Sequence, residues 1–375
     1  MSSPAMCHRK SEVMTEKKHI FSLRMIINMV VLATALPCFF VSCRKSLPEH
    51  DSLRNRSAFT DDIRLKTTPV LHQGKSSACW AYAMCATIES IRLEMGDSVT
   101  LSPSFLQYHW VTDQALRSYM CQGTTPISQQ AIATEALYIA EKHGAMPLEA
   151  FNKAHISPAV MRQVRSYVAT AVKQRLGLDD VAENVERLLG DSVGYPAKCC
   201  FFYGAEYSPQ TYARSMNATP SDFCTLMSDD RYPYNNMCDL NIPDNTCLRQ
   251  AYNLPADSLI DVIVNSLKAR MAVCWEGDVT EKGYSFAKGI AIIDKDASDI
   301  TDADRSRMLQ RFQTTDDHAM SIIGMAHSKS GERFFILKDS HGTANAYGGY
   351  IYMSEAYLKA KTILLVVDKS VMRKS

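Results

Sequence analysis

The chain has no surplus of positive charge: 41 Lys and Arg stand against 40 Asp and Glu in 375 residues. Without a basic excess to neutralise phosphates, a general nucleic-acid binder is excluded. Only one long uncharged apolar run is present, at residues 25–43, which rules out a multi-span membrane protein. None of the 12 cysteines forms a Cys-x-x-Cys pair, and no His/Cys cluster has metal-ligand spacing. Zinc and thioredoxin-like readings therefore have no support, and no metal or cofactor is expected. Gly74-Lys75-Ser76 does not open a phosphate loop, because the first glycine of that pattern would fall at Pro69. Disorder is also excluded, since 46% hydrophobic residues suffice for a sizeable core.

What is present begins with that apolar run. Lys17, Lys18, His19 and Arg24 precede it, and it ends in Phe40-Val41-Ser42-Cys43. A basic region, an apolar core and small residues at the exit make a secretory signal over residues 1–43. The exit resembles the lipobox of bacterial lipoproteins, which implies cleavage before Cys43 and acylation of that residue. A plain membrane anchor or an ordinary signal peptide is the alternative. Each places the folded part outside the cytoplasm, in the bacterial cell envelope. Residues 44–60 are polar and unpatterned and read as a tether.

After Ser77, the apolar residues Ala81, Met84, Cys85, Ile88, Ile91 and Met95 recur at three and four. This spacing predicts an amphipathic helix capped by Ser76 or Ser77 and stopped at Gly96. Cys79 then sits in the first turn, where unpaired N–H groups and the positive dipole end stabilise a thiolate. A disulfide-exchange pair of Cys79 with Cys85 is excluded, because six residues of helix separate them by about 9 Å along the axis. Cys238 and Cys247 flank a loop and are the first pair to consider for a disulfide. The other cysteines read mostly as small buried hydrophobes.

Near the other end, residues 318–327, 333–339, 348–354 and 362–368 alternate or run apolar between turn residues, which predicts an antiparallel sheet. His318 opens the first strand and Asp339 closes the second, so a hairpin brings them side by side. Of the remaining histidines, His327 reads as a surface residue, and His109 and His143 as satisfied groups on helices. Asp316 and Asp317 read as a solvated loop.

Gln73, five residues and then Cys79-Trp80 resemble the papain-like cysteine peptidases. In that family the Gln side chain and the Cys backbone N–H form the oxyanion hole. His318 with Asp339-Ser340-His341-Gly342 resembles the family's His and Asn-Ser-Trp-Gly. Here Asp replaces Asn, adding a charge that raises the His318 pKa. His341 replaces Trp and covers the His–Asp bond less well. Ala78 before the cysteine is a further departure.

The middle of the chain resembles one branch, the bleomycin hydrolase/aminopeptidase C group. Its motifs occur in order: the helix and turn from Pro126 to Pro147, Leu189-Gly190, Thr219-Pro220 with Phe223, and Tyr252-Asn253-Leu254-Pro255. Then follow the strand around Trp275 and His318-Ala319-Met320. The resemblance implies an α+β, papain-like two-lobed fold over residues 61–375. One lobe is helical and the other is an antiparallel, β-barrel-like sheet. A large helical insertion at about 112–248 would shape access to the site. It also implies a cysteine peptidase with Cys79 as nucleophile, His318 as base, Asp339 as orienting group and Gln73 in the oxyanion hole. Its partners are then a peptide or protein substrate and, through the lipid on Cys43, a membrane. A catalytically weak or inactive binding lipoprotein of the same fold is the alternative, on the strength of Asp339 and His341. The stretch after residue 368 carries three cationic side chains, so a carboxylate clamp for a substrate's amino group is not assumed.

Overall fold

The computed structural model describes residues 58–153 and 155–372. The expected signal, Cys43 and most of the tether lie outside the described residues. The tether ends sooner than residue 60, because Phe59 and Thr60 already belong to strand β1 (Phe59–Arg64). The Phe59 ring, buried, stacks on Tyr352 with ring centroids 4.3 Å apart.

Helices follow: α1 (Cys79–Glu94), α2 (Pro103–Met120), α3 (Glu135–His143), α4 (Pro158–Gln174) and α5 (Leu178–Val193). Local chemistry fixes several starts. Ser102 accepts from the N–H of Phe105 at 3.1 Å, and Ser157 from that of Val160 at 3.3 Å, each followed by proline at the first helical position. In α4, Val160, Val164, Val168 and Ala171 are buried, and in α5 Val181, Val185, Leu189 and Val193 are, so each presents one apolar stripe. These helices pack on one another through α2. The hairpin β2 (Cys200–Phe202) and β3 (Ala205–Tyr207) and helix α6 (Pro209–Ser215) complete this half.

The expected helical segment at 112–248 is helical only in part. Its end supplies β4 (Phe223–Met227) and β5 (Asn236–Asp239), which join the main sheet. The chain then runs through β6 (Gln250–Asn253), α7 (Ala256–Lys268), β7 (Val273–Gly277), β8 (Tyr284–Ser285) and β9 (Ile290–Ala291). It closes with β10 (His318–Ser328), β11 (Arg333–Lys338), β12 (Tyr350–Ser354) and β13 (Thr362–Asp368). The eleven-stranded sheet has the order β5-β6-β4-β13-β7-β10-β11-β12-β9-β8, with β1 on the far end of β10. All but two of its pairings, β4 with β6 and β9 with β12, are antiparallel. The four C-terminal strands lie where the sequence places them. However, β13 pairs with β7 and β4 rather than β12, because a helix at Glu355–Lys361 carries the chain across.

Helix α1 is buried on nearly every side and lies against β10. Thr87 of α1 donates to Ser321 of β10 at 2.9 Å. Glu89 of α1, buried, accepts from the N–H of Leu101 and pairs with Lys338 of β11 at 4.0 Å. At the crossing of β1 and β10, Gly324 allows the closest approach, since a Cβ there would lie 2.4 Å from the carbonyl oxygen of Ile63. Gly324→Ala is therefore expected to displace β1 and destabilise the chain by about 1–3 kcal/mol. An unchanged urea midpoint would show that β1 yields freely.

Candidate active site

Cys79 is the first residue of α1, as its spacing predicts, but neither serine caps the helix. The N-cap is Ala78, which has no side-chain bond to offer. Ser76 instead donates its hydroxyl to the carbonyl oxygen of Gln73 at 2.8 Å. Cys79 thus sits at a helix start whose N–H groups have no side-chain cap.

His318 lies at the start of β10, opposite Gly277 of β7. Ser321 pairs with Lys338, so Asp339 falls just past the end of β11, diagonal to His318. The His318 Nε2 donates to the Asp339 Oδ1 at 2.8 Å, and both side chains are buried. This leaves Nδ1 for Cys79, which is close enough to act on the imidazole. Burial alone would lower the imidazole's pKa. The bonds to Asp339 and Cys79, together with their charges, instead push it up to about 10. Burial would raise the Asp339 carboxyl, yet the bonds from His318 and His341 hold it far below the usual carboxylate range.

His341 does more than stand in for a covering aromatic ring. Its Nδ1 donates to the same Asp339 oxygen at 3.0 Å, and its ring lies 4.9 Å from that of His318. Its side chain is 41% exposed against 5% for His318, so it closes the solvent side of the His–Asp bond. The Asp339 carboxylate also accepts from the N–H of Ser340 at 2.6 Å and from the Tyr284 hydroxyl at 3.5 Å. Tyr284 carries no sequence signal, because it reaches the site only through the fold. Among the described residues, His318, Asp339 and His341 have ligand-capable atoms within 4.8 Å of one another. Each imidazole already uses a nitrogen on the shared carboxylate, so the trio is a hydrogen-bonded unit.

Gln73 reaches the same place from the loop before α1. Its backbone N–H donates to the Ser340 carbonyl at 2.7 Å, and its side-chain oxygen accepts from the Ser340 hydroxyl. That bond fixes the amide flip. One N–H of Nε2 goes to the Ser76 carbonyl at 2.8 Å, and the other remains for the cleft. Cys79, Gln73, His318 and His341 all line one cleft of about 670 Å³. The structure thus brings Cys79, Gln73, His318 and Asp339 together, with Asp339 behind His318.

Two expectations fail. Asp316 is not part of a solvated loop: its carboxyl is enclosed at the cleft and pushed up to about 7, chiefly by burial, beside the buried Glu276. Cys238 and Cys247 are both free thiols, as are all nine cysteines among the described residues. Cys238 is buried and donates to the backbone carbonyls of Pro233 and Asn236, while the Cys247 sulfur accepts from Arg117. His327 is exposed and bonded to Asp62 at 2.7 Å, and His143 is bonded to Asp113 and stacked on His109.

Folding raises the His318 pKa, so its ion pair stabilises the fold fully below pH 6.5 and loses that effect as pH rises through about 10. Urea midpoints recorded across this window are expected to fall in the native chain and to fall less in Asp339→Asn. Parallel curves for the two chains would count against the charged pair.

Residues 161–375, which include His318 and Asp339, match the model of the Peptidase C1-like family. A stretch of 100 residues is 31% identical to caricain of Carica papaya, covering 26% of this chain and 25% of caricain. The chain therefore spans about a quarter of the length of that curated relative. The fold is similar to the crystal structure of PepW from Lactobacillus rhamnosis HN001. The TM-score is 0.66 at 18% identity, covering 96% of this chain and 90% of that one. With more than half its length matched, and with this α+β architecture, the chain belongs to the Peptidase C1-like family of papain-like cysteine peptidases.

Proposed function

We propose that the protein hydrolyses peptide bonds through a Cys-His-Asp acyl-enzyme mechanism. The observation that carries this reading is a convergence at one cleft: Cys79 at the start of α1, His318 bonded to Asp339 at 2.8 Å, and Gln73.

In this mechanism the Cys79 thiolate attacks the carbonyl carbon of the scissile bond, forming a C–S bond and an oxyanion. The free N–H of the Gln73 amide and the N–H of Cys79 are the donors available to that oxyanion. His318 enters the reaction as imidazolium and protonates the leaving amine as the C–N bond breaks. It then takes a proton from water, which attacks the thioester and releases the carboxylic acid and the thiolate. Asp339 stays ionised throughout. As an acceptor only, it holds Nε2–H and so aims Nδ1 at the sulfur. His341 keeps water from competing for the Asp339 oxygen.

The narrower assignment to the bleomycin hydrolase/aminopeptidase C group is part of the proposal and rests on the ordered sequence motifs. Export, with a lipid tether through Cys43 to the cell envelope, is likewise proposed on sequence alone. Aminopeptidase specificity through a C-terminal carboxylate is not assumed. After β13, Lys369 is held at the β4 side of the sheet, donating to the carbonyls of Pro220 and Ser221.

Cys79→Ala is expected to abolish hydrolysis of a peptide library, and a thiol-directed epoxide should label Cys79 alone. Gln73→Ala should lower kcat/KM by about 10²–10³, the cost of one oxyanion donor. Full residual turnover in Cys79→Ala would falsify the mechanism. An unreactive Cys79 with no turnover would favour a binding protein of this fold.

A further inference from the structure

The cleft that holds Cys79 is also lined by four carboxylates, and by no lysine or arginine among the described residues. They converge from three stretches of chain: Asp244 from the insertion, Glu276 on β7, and Asp316 and Asp317 just before β10. Glu276 sits opposite Ala319, the neighbour of His318, and its Oε2 accepts from the N–H of Ala133 at 2.8 Å. It is buried, and its carboxyl lies close enough to Cys79 to be affected by the charge there.

The Asp316 and Glu276 carboxyls are neighbours at the cleft, and each acts on the other. Two neighbouring carboxyls repel when both are ionised, so the pair resists carrying two charges. Burial and the neighbouring Asp316 hold the Glu276 carboxyl well above its usual range. The Asp316 carboxyl is almost entirely enclosed, yet its Oδ2 has no hydrogen-bond partner. Enclosed polar atoms are nearly always paired, so an enclosed carboxylate oxygen without a donor is an acceptor awaiting one. Asp244, half-buried, also lines the cleft and is close enough to act on Asp316. One open oxygen is not the six-to-eight-oxygen shell of a calcium site, which points away from a hard metal ion.

We propose that Asp316, Glu276 and Asp244 form a specificity pocket beside Cys79 that takes a cationic N–H donor of the peptide substrate, an ammonium or a guanidinium. The proposal deepens the peptidase reading and rests on it. The donor is supplied either by a Lys or Arg side chain or by a free peptide N-terminus. In the complex it donates to the Asp316 Oδ2, and its positive charge favours the ionised form of that carboxyl. Desolvated charge-assisted bonds of this kind discriminate strongly against a neutral isostere.

The test uses the full chain and fluorogenic peptides that differ only in Arg against citrulline at each position flanking the cleaved bond. Each peptide is made with a free and with an acetylated N-terminus. The native chain is expected to prefer one cationic form by at least about tenfold in kcat/KM. A preference that follows Arg assigns a side chain, and one that follows the free N-terminus assigns the α-ammonium. In Asp316→Asn, folded by its thermal melt, the preference should fall to within about threefold. Should that variant fail to fold, Asp244→Asn is expected to weaken the preference in the same direction. A native chain indifferent to charge, or a preference that survives in a folded variant, overturns the pocket. Binding of the same peptides to Cys79→Ala, read by fluorescence polarisation, needs no turnover. Charge-selective binding there, with no hydrolysis by the native chain, would retain the pocket and reject the peptidase. Charge-blind binding beside normal hydrolysis would do the reverse.

Discussion

The burial of α1 against β10 is the constraint on which the site depends. A helix held loosely could not keep a sulfur at its first residue aligned with an imidazole at the start of a strand. Here almost every side chain between Trp80 and Ile91 is buried, so α1 has no freedom to roll. Polar contacts set its register: Thr87 on Ser321, Ser90 on the carbonyl of Lys66, and Glu89 opposite Lys338. Burial pushes the Glu89 carboxyl up and the Lys338 amine down, and the charge of each works against the shift of the other. Lys338 is the residue before Asp339, and the contact that seats the helix also fixes the end of β11.

A single carboxylate then organises the polar half of the site. Asp339 is buried and accepts from two imidazoles, a backbone N–H and a tyrosine hydroxyl. Several donors on one ionised acceptor make a bond network in which each member orients the others. The next residue, Ser340, holds Gln73 by both its carbonyl and its hydroxyl. Ser340 thus ties Gln73, the donor proposed for the oxyanion, to the segment that carries the Asp339 carboxylate.

The insertion contributes chemistry as well as bulk. Ala133 secures Glu276, and Gln130, Ala131 and Asp244 line the cleft. Other motifs in the middle of the chain serve as pins. Asn253 is fully buried, accepts from the N–H of Asp229 and donates to the carbonyls of Asp229 and Tyr232. Asp222 accepts from both the N–H and the hydroxyl of Thr219. These residues hold turns that place β4 and β6, and they do not touch the cleft.

By itself, the sequence determined the elements and their chemistry. Apolar spacing of three and four made α1 legible, alternation and an apolar run made β10 and β11 legible, and the types and order of Gln73, Cys79, His318 and Asp339 picked out residues that the fold brings together. These signals are local: periodicity reports which face is buried, and a helix start or strand end can be read from its neighbours in the chain. The sequence did not reveal that Ser76 and Ser77 would be bypassed as caps, that β4 and β5 would leave the insertion for the sheet, or that Cys238 and Cys247 would stay apart. Nor could it separate Asp316 from an ordinary solvated aspartate, or show His341 and Tyr284 on the same carboxylate. Only the tertiary structure decided those points, because burial, hydrogen-bond partners and the field at a carboxyl group depend on groups brought close in space from distant parts of the chain.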